Sequence, residues 1–424
     1  MPFESVILLS MILVFGTGVF WLKLPSGVAL SLGAIAGALV GGYGIPVRHL
    51  VEGMFGFLEP ALIVATAIVF MRVVAATGAL GTLNRAMVHR LHARPTMLLV
   101  LTVFFIMLPG MLTGLSSVCV LTTGALVAPT LLAMNIPAAA VGAFIALAAV
   151  LGEIAPPINI PVMIIGGGAD MPYIGFEGPL LLLAVPLAIL LGVYMRVRYV
   201  RSRSSEEMFA SLPRSSFDSH GVKIFFPLAV VVGLMIAVRA VPATIPDIGV
   251  PLIFTAGIVS SFGTGNRFPF VQTVRQGIRD AMPVMSILVG VGMFVQVMTL
   301  TGVRGMMAVG ALEVPRALLY GGIGLIMPAI GSAYASASVI GVPLLFAFLG
   351  RNEIVVASGL SLIASLADLM PPPTILCVFA GQVVGEKNPF RILRSALPFM
   401  VVMLAAGLAM IIFANSIGSL FWLN

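Results

Sequence analysis

The sequence predicts an all-α polytopic membrane protein built of two inverted-topology repeats, each with a re-entrant hairpin and a proline-broken helix. Three observations predict it: an extreme apolar composition, one short phrase stated twice, and basic and acidic loops that alternate along the chain. Hydrophobic residues make up 60% of the 424, charged residues 9%, and mean hydropathy is +1.16. A soluble domain of this size cannot carry so much apolar surface, whereas a bundle of membrane spans requires it. The net charge of +7 comes from arginines in short loops between apolar runs, so topology explains it and nucleic acid does not. Both cysteines, Cys119 and Cys377, lie in apolar segments, which excludes a disulfide framework or a cysteine metal cluster. The first apolar run has no basic stretch before it and is expected to be a span, not a cleaved leader.

Spans are predicted at 5–22, 26–45, 59–81, 96–111, 137–168, 179–196, 224–241, 250–265, 281–301, 317–331, 353–385 and 396–422. Two of them, 137–168 and 353–385, contain proline pairs and are expected to be broken. The stretches 112–135 and 332–350 are long enough to enter the membrane but rich in Ser, Thr and Gly. They are expected to be re-entrant hairpins of two half-helices, tolerated where protein or a wet cavity surrounds them.

Loops 82–95, 196–223, 266–280 and 386–394 are basic, while 169–178 and 242–249 hold only acids. The positive-inside rule puts the first four in the cytoplasm and the last two outside. The long basic segment 197–223 divides the chain into repeats at 1–196 and 224–424, with a cytoplasmic linker between them. Phe70-Met-Arg72-Val73 with Thr77-Gly78 is echoed by Phe294-Val-Gln296-Val297 with Thr301-Gly302. Equivalent loops favour opposite sides, as inverted repeats require.

The doubled phrase is Gly152-Glu153-Ile-Ala-Pro156-Pro157-Ile-Asn159 and Ala367-Asp368-Leu-Met-Pro371-Pro372-Pro373-Thr374. Proline has no N–H to donate and its ring clashes with the preceding turn, so each pair unwinds its helix and frees carbonyls. Those carbonyls, with Asn159 or Thr374, suit a desolvated cation, and the half-helix that follows suits a carboxylate. The alternative is a plain structural kink. An acid at mid-membrane costs about 2.5–3.5 kcal/mol, so Glu153 and Asp368 are candidates to ligate a cation or carry a proton. An arginine partner or shallow placement would make them merely structural. Arg72 is a candidate to hold a substrate carboxylate or neutralise Glu153, against an inter-helix ion pair. Hydroxyls in the hairpin runs Gly114-Leu-Ser116-Ser117 and Gly331 to Ser338 let backbone approach a ligand, although tight helix packing would select the same small residues. No motif of an ATPase, a serine hydrolase or a zinc hydrolase is present, so no enzyme and no cofactor is expected.

Gly114-Leu-Ser116-Ser117 running on to Pro129, Gly152-Glu-Ile-Ala-Pro156-Pro157, and the Phe70 to Gly81 stretch resemble the large membrane subunit of the tripartite ATP-independent periplasmic (TRAP) transporters. The resemblance implies the wider ion-transporter superfamily fold, with a scaffold and a mobile domain, working as an elevator. It implies sodium-driven uptake of a small organic acid such as a dicarboxylate across a bacterial inner membrane. It also implies two partners, a small membrane subunit and a periplasmic substrate-binding protein. Carried to matching positions, sodium would sit among Gly114, Ser116, Ser117 and Asn159, with Ser336, Ser338 and Thr374 as counterparts. The chain departs from the family where Glu153 and Asp368 replace apolar or small residues before the prolines, which leaves sodium and proton coupling both open. Alternatives are a stand-alone organic-anion carrier or cation/proton antiporter of the same superfamily, and, from another class, a passive channel or membrane scaffold.

Overall fold

The computed structural model describes residues 2–200, 221–240, 246, 248–371 and 374–421, and among these it is helical with no strand. Most of the predicted linker, together with Pro372 and Pro373, lies outside the described residues. Helix α1 (Phe3–Gly16) runs on through a π-helical turn to Trp21 and packs on α2 (Ser26–Val40). A short amphipathic helix, α3 (Val47–Gly56), precedes α4 (Leu58–Ala76), and Gly78 in a left-handed conformation turns the chain into α5 (Ala79–Leu91). Proline opens α6 (Pro95–Thr113), where a missing N–H costs nothing.

Next, α7 (Ser116–Cys119), a π-helical turn at Val120–Gly124 and α8 (Ala125–Ala133) form one rod that folds back along α6. The first broken helix is α9 (Ala138–Ile154) followed by α10 (Ile160–Gly167), and α11 (Glu177–Tyr199) closes the first half. The second half contains α12 (Phe226–Ala240), α13 (Val250–Ser260), the long α14 (Phe270–Leu300) and α15 (Val303–Glu313). Then come α16 (Arg316–Ala329), α17 (Ala333–Ser336), a π-helical turn at Ala337–Gly341 and α18 (Val342–Phe346). The second broken helix is α19 (Glu353–Ser365), a 3₁₀ turn at Leu366–Leu369, and α20 (Ile375–Val384); α21 (Pro389–Ile412) and α22 (Ala414–Leu420) end the chain.

Eight of the described helical stretches are long and apolar enough to cross a membrane, among them Leu58–Ala76, Pro95–Thr113, Ser116–Ala133 and Pro389–Ile412. The chain is a multi-pass membrane protein. Its helices form two groups. In one, α14 packs on α2, α3 and α4, with α13 beside α4 and α12 on α13. In the other, α9 packs on α6, α20 and α21, while α19 packs on α10 and α21. From Ala140 to Ile154 every residue of α9 is buried, and so is every residue of α19 from Val355 to Ser365. Ala, Gly and Ser make up about half of each run, so neighbouring backbones approach closely where large side chains would hold them apart.

Two expectations need correction. Segments 112–135 and 332–350 are not self-contained hairpins. Each is the second arm of a hairpin whose first arm is the preceding predicted span, α6 or α16. The turns fall at Gly114 (φ 68°) and Gly331 (φ 74°), where only glycine adopts the left-handed conformation without strain. Small residues inside the second arms serve close packing instead. The charged segment 266–280 is also not a loop, because α14 is already helical from Phe270. Its 31 residues, about 46 Å at 1.5 Å each, exceed the roughly 30 Å hydrocarbon thickness, so its charged first turns extend beyond it.

Candidate functional site

The site lies where both hairpin tips meet both helix breaks. Glu153 ends α9 and Asp368 sits in the 3₁₀ turn after α19. Both acids thus stand at the C-terminal end of a helix, the negative end of its dipole, where a carboxylate is disfavoured and a cation welcome. Close contact of α6 with α9 fixes Glu153. A Cβ on Gly152 would lie 2.7 Å from the Met107 carbonyl oxygen, and one on Gly110 would lie 2.7 Å from the Gly152 carbonyl carbon. Any larger residue at either place would push the first hairpin off the broken helix.

Asp368 is partly buried and fully engaged. Its Oδ2 accepts from the Ser116 hydroxyl at 3.1 Å and its Oδ1 from the Ala333 N–H at 2.8 Å. One acid therefore ties the first residue of α7 to the first residue of α17. A third bond joins the tips directly, since the Tyr334 phenol donates to the Gly114 carbonyl at 3.0 Å.

Glu153 is the contrast. It is 0% exposed, the only charged side chain among the described residues so fully enclosed. Neither carboxylate oxygen accepts a hydrogen bond. The Ser116 hydroxyl, the Tyr334 phenol and Asp368 face it, but both hydroxyls spend their protons elsewhere, on Asp368 and on Gly114. No ion pair reaches either acid among the described residues. A buried carboxylate without a donor costs more than the roughly 1–3 kcal/mol of a neutral unpaired group. Such a group is relieved by a proton or a bound cation. Its own two carboxylate oxygens are the donor type that alkali cations take.

The other candidates divide. Asn159 caps α10, accepting from the Val162 N–H at 2.9 Å, while its amide donates to the Ile154 carbonyl and, at 3.1 Å, to the Ser361 hydroxyl of α19. It stitches the two broken helices together. Thr374 is buried at the start of α20 in a left-handed conformation (φ 53°). Ser336 and Ser338 donate to carbonyls of their own hairpin, Met327 and Ala335, and Ser117 is half-buried. Arg72 is not brought to the acids. Its Nε meets Asp280 Oδ2 of α14 at 2.5 Å, with both side chains substantially exposed, which is the inter-helix ion pair.

Tyr334, the Ala333 N–H and Ser361 were not singled out from sequence. Tyr334 carried a signal, as one of only six tyrosines, set in a run of Ala and Ser where packing needs no phenol. The Ala333 contribution is backbone and has none.

No family model matches the chain, and no curated protein matches it. A solved structure does. The fold is shared with a membrane transporter. The YdaH transporter of Alcanivorax borkumensis, whose crystal structure has an unusual topology, superposes with a TM-score of 0.63 over 87% of each chain at 16% identity. At that identity the likeness is one of fold.

Proposed function

We propose that the chain is a secondary active transporter that takes up a small organic acid, such as a dicarboxylate, across a bacterial inner membrane by an elevator movement coupled to sodium or protons. The observation that carries this reading is the enclosed carboxylate of Glu153, left without a donor between two hairpin tips, on a fold shared with a transporter. Glu153 is the group that takes the coupling cation, and neutralising it removes an uncompensated charge before the tips move through the membrane. With no buried base beside it among the described residues, a carboxylate substrate would enter together with its cation.

Parallel construction supports two inverted repeats at 1–196 and 224–424. In each half a left-handed glycine, Gly114 or Gly331, is followed at the same interval by a π-helical turn, Val120–Gly124 or Ala337–Gly341. Packing is reciprocal as well: α10 lies on α17 and the second π-helical turn, α20 on the first π-helical turn and α8. Resemblance to the TRAP large subunit adds a small membrane subunit and a periplasmic binding protein as partners, with the central basic loop cytoplasmic. A second reading, a stand-alone carrier or cation/proton antiporter, is favoured by the acids that replace apolar residues before the prolines.

Proteoliposomes of the purified chain with imposed sodium or proton gradients test the proposal. Labelled dicarboxylate should accumulate with one gradient and stop when it collapses. Uptake indifferent to both gradients sinks ion coupling. Uptake by the chain alone favours the stand-alone carrier; uptake only with the two partners favours the TRAP subunit.

A further inference from the structure

One hydrogen bond joins the two hairpins directly, from Tyr334 to Gly114, and two more bridge them through Asp368 of the second broken helix. Gly114 ends α6 with its carbonyl beyond the helix ladder, an acceptor that its own helix cannot use. Tyr334 fills that place from the other hairpin. Asp368 receives one donor from each tip. Tips that carry mostly small residues have little apolar surface to hold them together, so these polar bonds define their contact.

The arrangement is unequal in the two halves. Counting from Gly114 and Gly331, the position of Tyr334 corresponds to Ser117, which is half-buried and makes no reach across to the second hairpin. One hairpin contributes a long phenol, and the other a carbonyl and a short hydroxyl. Behind this contact, Glu153 is wholly enclosed.

We propose that Tyr334 and Asp368 form a latch that clasps the two hairpin tips over Glu153, and that release of this latch admits the ligand. The inference rests on the reading of this region as the transport site and deepens it by dividing the work of the two acids. Glu153 meets the ligand. Asp368 holds the door, and Tyr334 is a positioning residue acting through the Gly114 carbonyl. The hydroxyl of Tyr334 leaves the latch when the tips part, and its bond to Gly114 is replaced by water.

Cys119 reports on the latch without any substrate. Its sulfur is fully buried one turn after Ser116, in the α6–α9 contact, where a Cβ on Gly110 would lie 2.6 Å from it and one on Gly152, the residue before Glu153, 3.1 Å. Cys377, in α20, is also buried, and because its sulfur bonds to the Leu369 carbonyl beside Asp368 it serves as the control for Tyr334→Phe. The full chain in detergent micelles is exposed to N-ethylmaleimide, and each cysteine is followed by mass spectrometry. Tyr334→Phe, which keeps the ring and removes one neutral hydrogen bond, should raise the Cys119 rate roughly fivefold. Asp368→Asn should raise it further, because bonds to a charged acceptor are about twice as strong. Cys377 and the melting temperature should hardly move with Tyr334→Phe. An unchanged Cys119 rate in both variants overturns the latch, and so does an equal rise at Cys377 in Tyr334→Phe, which would mean general loosening. These rates need no gradient or partner, so a chain that keeps the latch but fails the flux experiment loses only the transport reading.

Discussion

The breaks after Glu153 and Asp368 are spelled almost alike and are resolved in opposite ways. Asp368 accepts one bond from each hairpin and is partly buried. Glu153 is wholly buried and accepts none. Both acids stand at the negative end of a helix, so the difference comes from the donors that surround them. Near Asp368 a peptide N–H and a hydroxyl point inward. Near Glu153 the same hydroxyl, and that of Tyr334, have already given their protons away. A charge is costly where its neighbours are committed, and that commitment is set by the meeting of two hairpins far apart in sequence. The duplicated phrase has thus produced one acid that is satisfied and one that is not.

Substitutions can break this comparison. The largest effect is expected from Asp368→Ala, which leaves the Ala333 N–H and the Ser116 hydroxyl without their acceptor. A loss of about 3 kcal/mol is expected from thermal unfolding in micelles. A loss below about 1 kcal/mol would mean that water serves both donors equally well. Gly152→Ala comes next, because its new Cβ would meet the Met107 carbonyl, a backbone atom with little room to yield. Overpacking of this kind costs roughly 1–3 kcal/mol, and Cys119 should label faster as α6 is pushed from α9. Glu153→Gln is predicted to run the other way. It removes an unpaired buried charge at constant volume, so stability should hold or rise by about 1 kcal/mol while gradient-driven flux is lost. A Glu153→Gln protein that melts as early as Asp368→Ala would abolish the distinction between the acids.

Asn159→Ala sharpens the comparison at smaller scale, since it removes the cap of α10 and the link to Ser361 but touches neither acid. About 1–2 kcal/mol should be lost, with ion dependence unchanged. The smallest effect belongs to an exposed acid. Arg48 lies 2.8 Å from Glu52 on α3 and holds its carboxyl below the usual carboxylate range. A lowered value in the folded state contributes stability above the ordinary carboxylate range, lost as pH falls through the lowered value. Solvent screens the pair, so Glu52→Gln should leave the melting temperature at neutral pH unchanged within error.

Much of this was legible beforehand. Membrane spans followed from composition, because about 20 apolar residues in a row have few other uses. Helix breaks followed from Pro156, Pro157 and Pro371, because proline constrains the backbone wherever it stands. Glu153 and Asp368 stood out as the charged residues of two otherwise apolar runs. The hairpin turns were harder to place. Gly114 and Gly331 lie among many glycines, and whether a glycine turns the chain or lets helices touch depends on what packs against it. Arg72 forms the inter-helix ion pair weighed from sequence, with a partner, Asp280, on a helix that outruns the hydrocarbon.

By itself, the sequence determined that the chain has segments apolar enough to enter a membrane, where two helices must unwind, and that an acid stands at each break. Those properties depend on residues within a few positions of one another, through hydropathy and proline stereochemistry. Tertiary structure alone decided which acid is satisfied. Residues 116, 333, 334 and 368 come together only when both hairpins fold onto both breaks. A hydroxyl has one proton to give, and the contact geometry assigned those protons to Asp368 and Gly114, leaving Glu153 open.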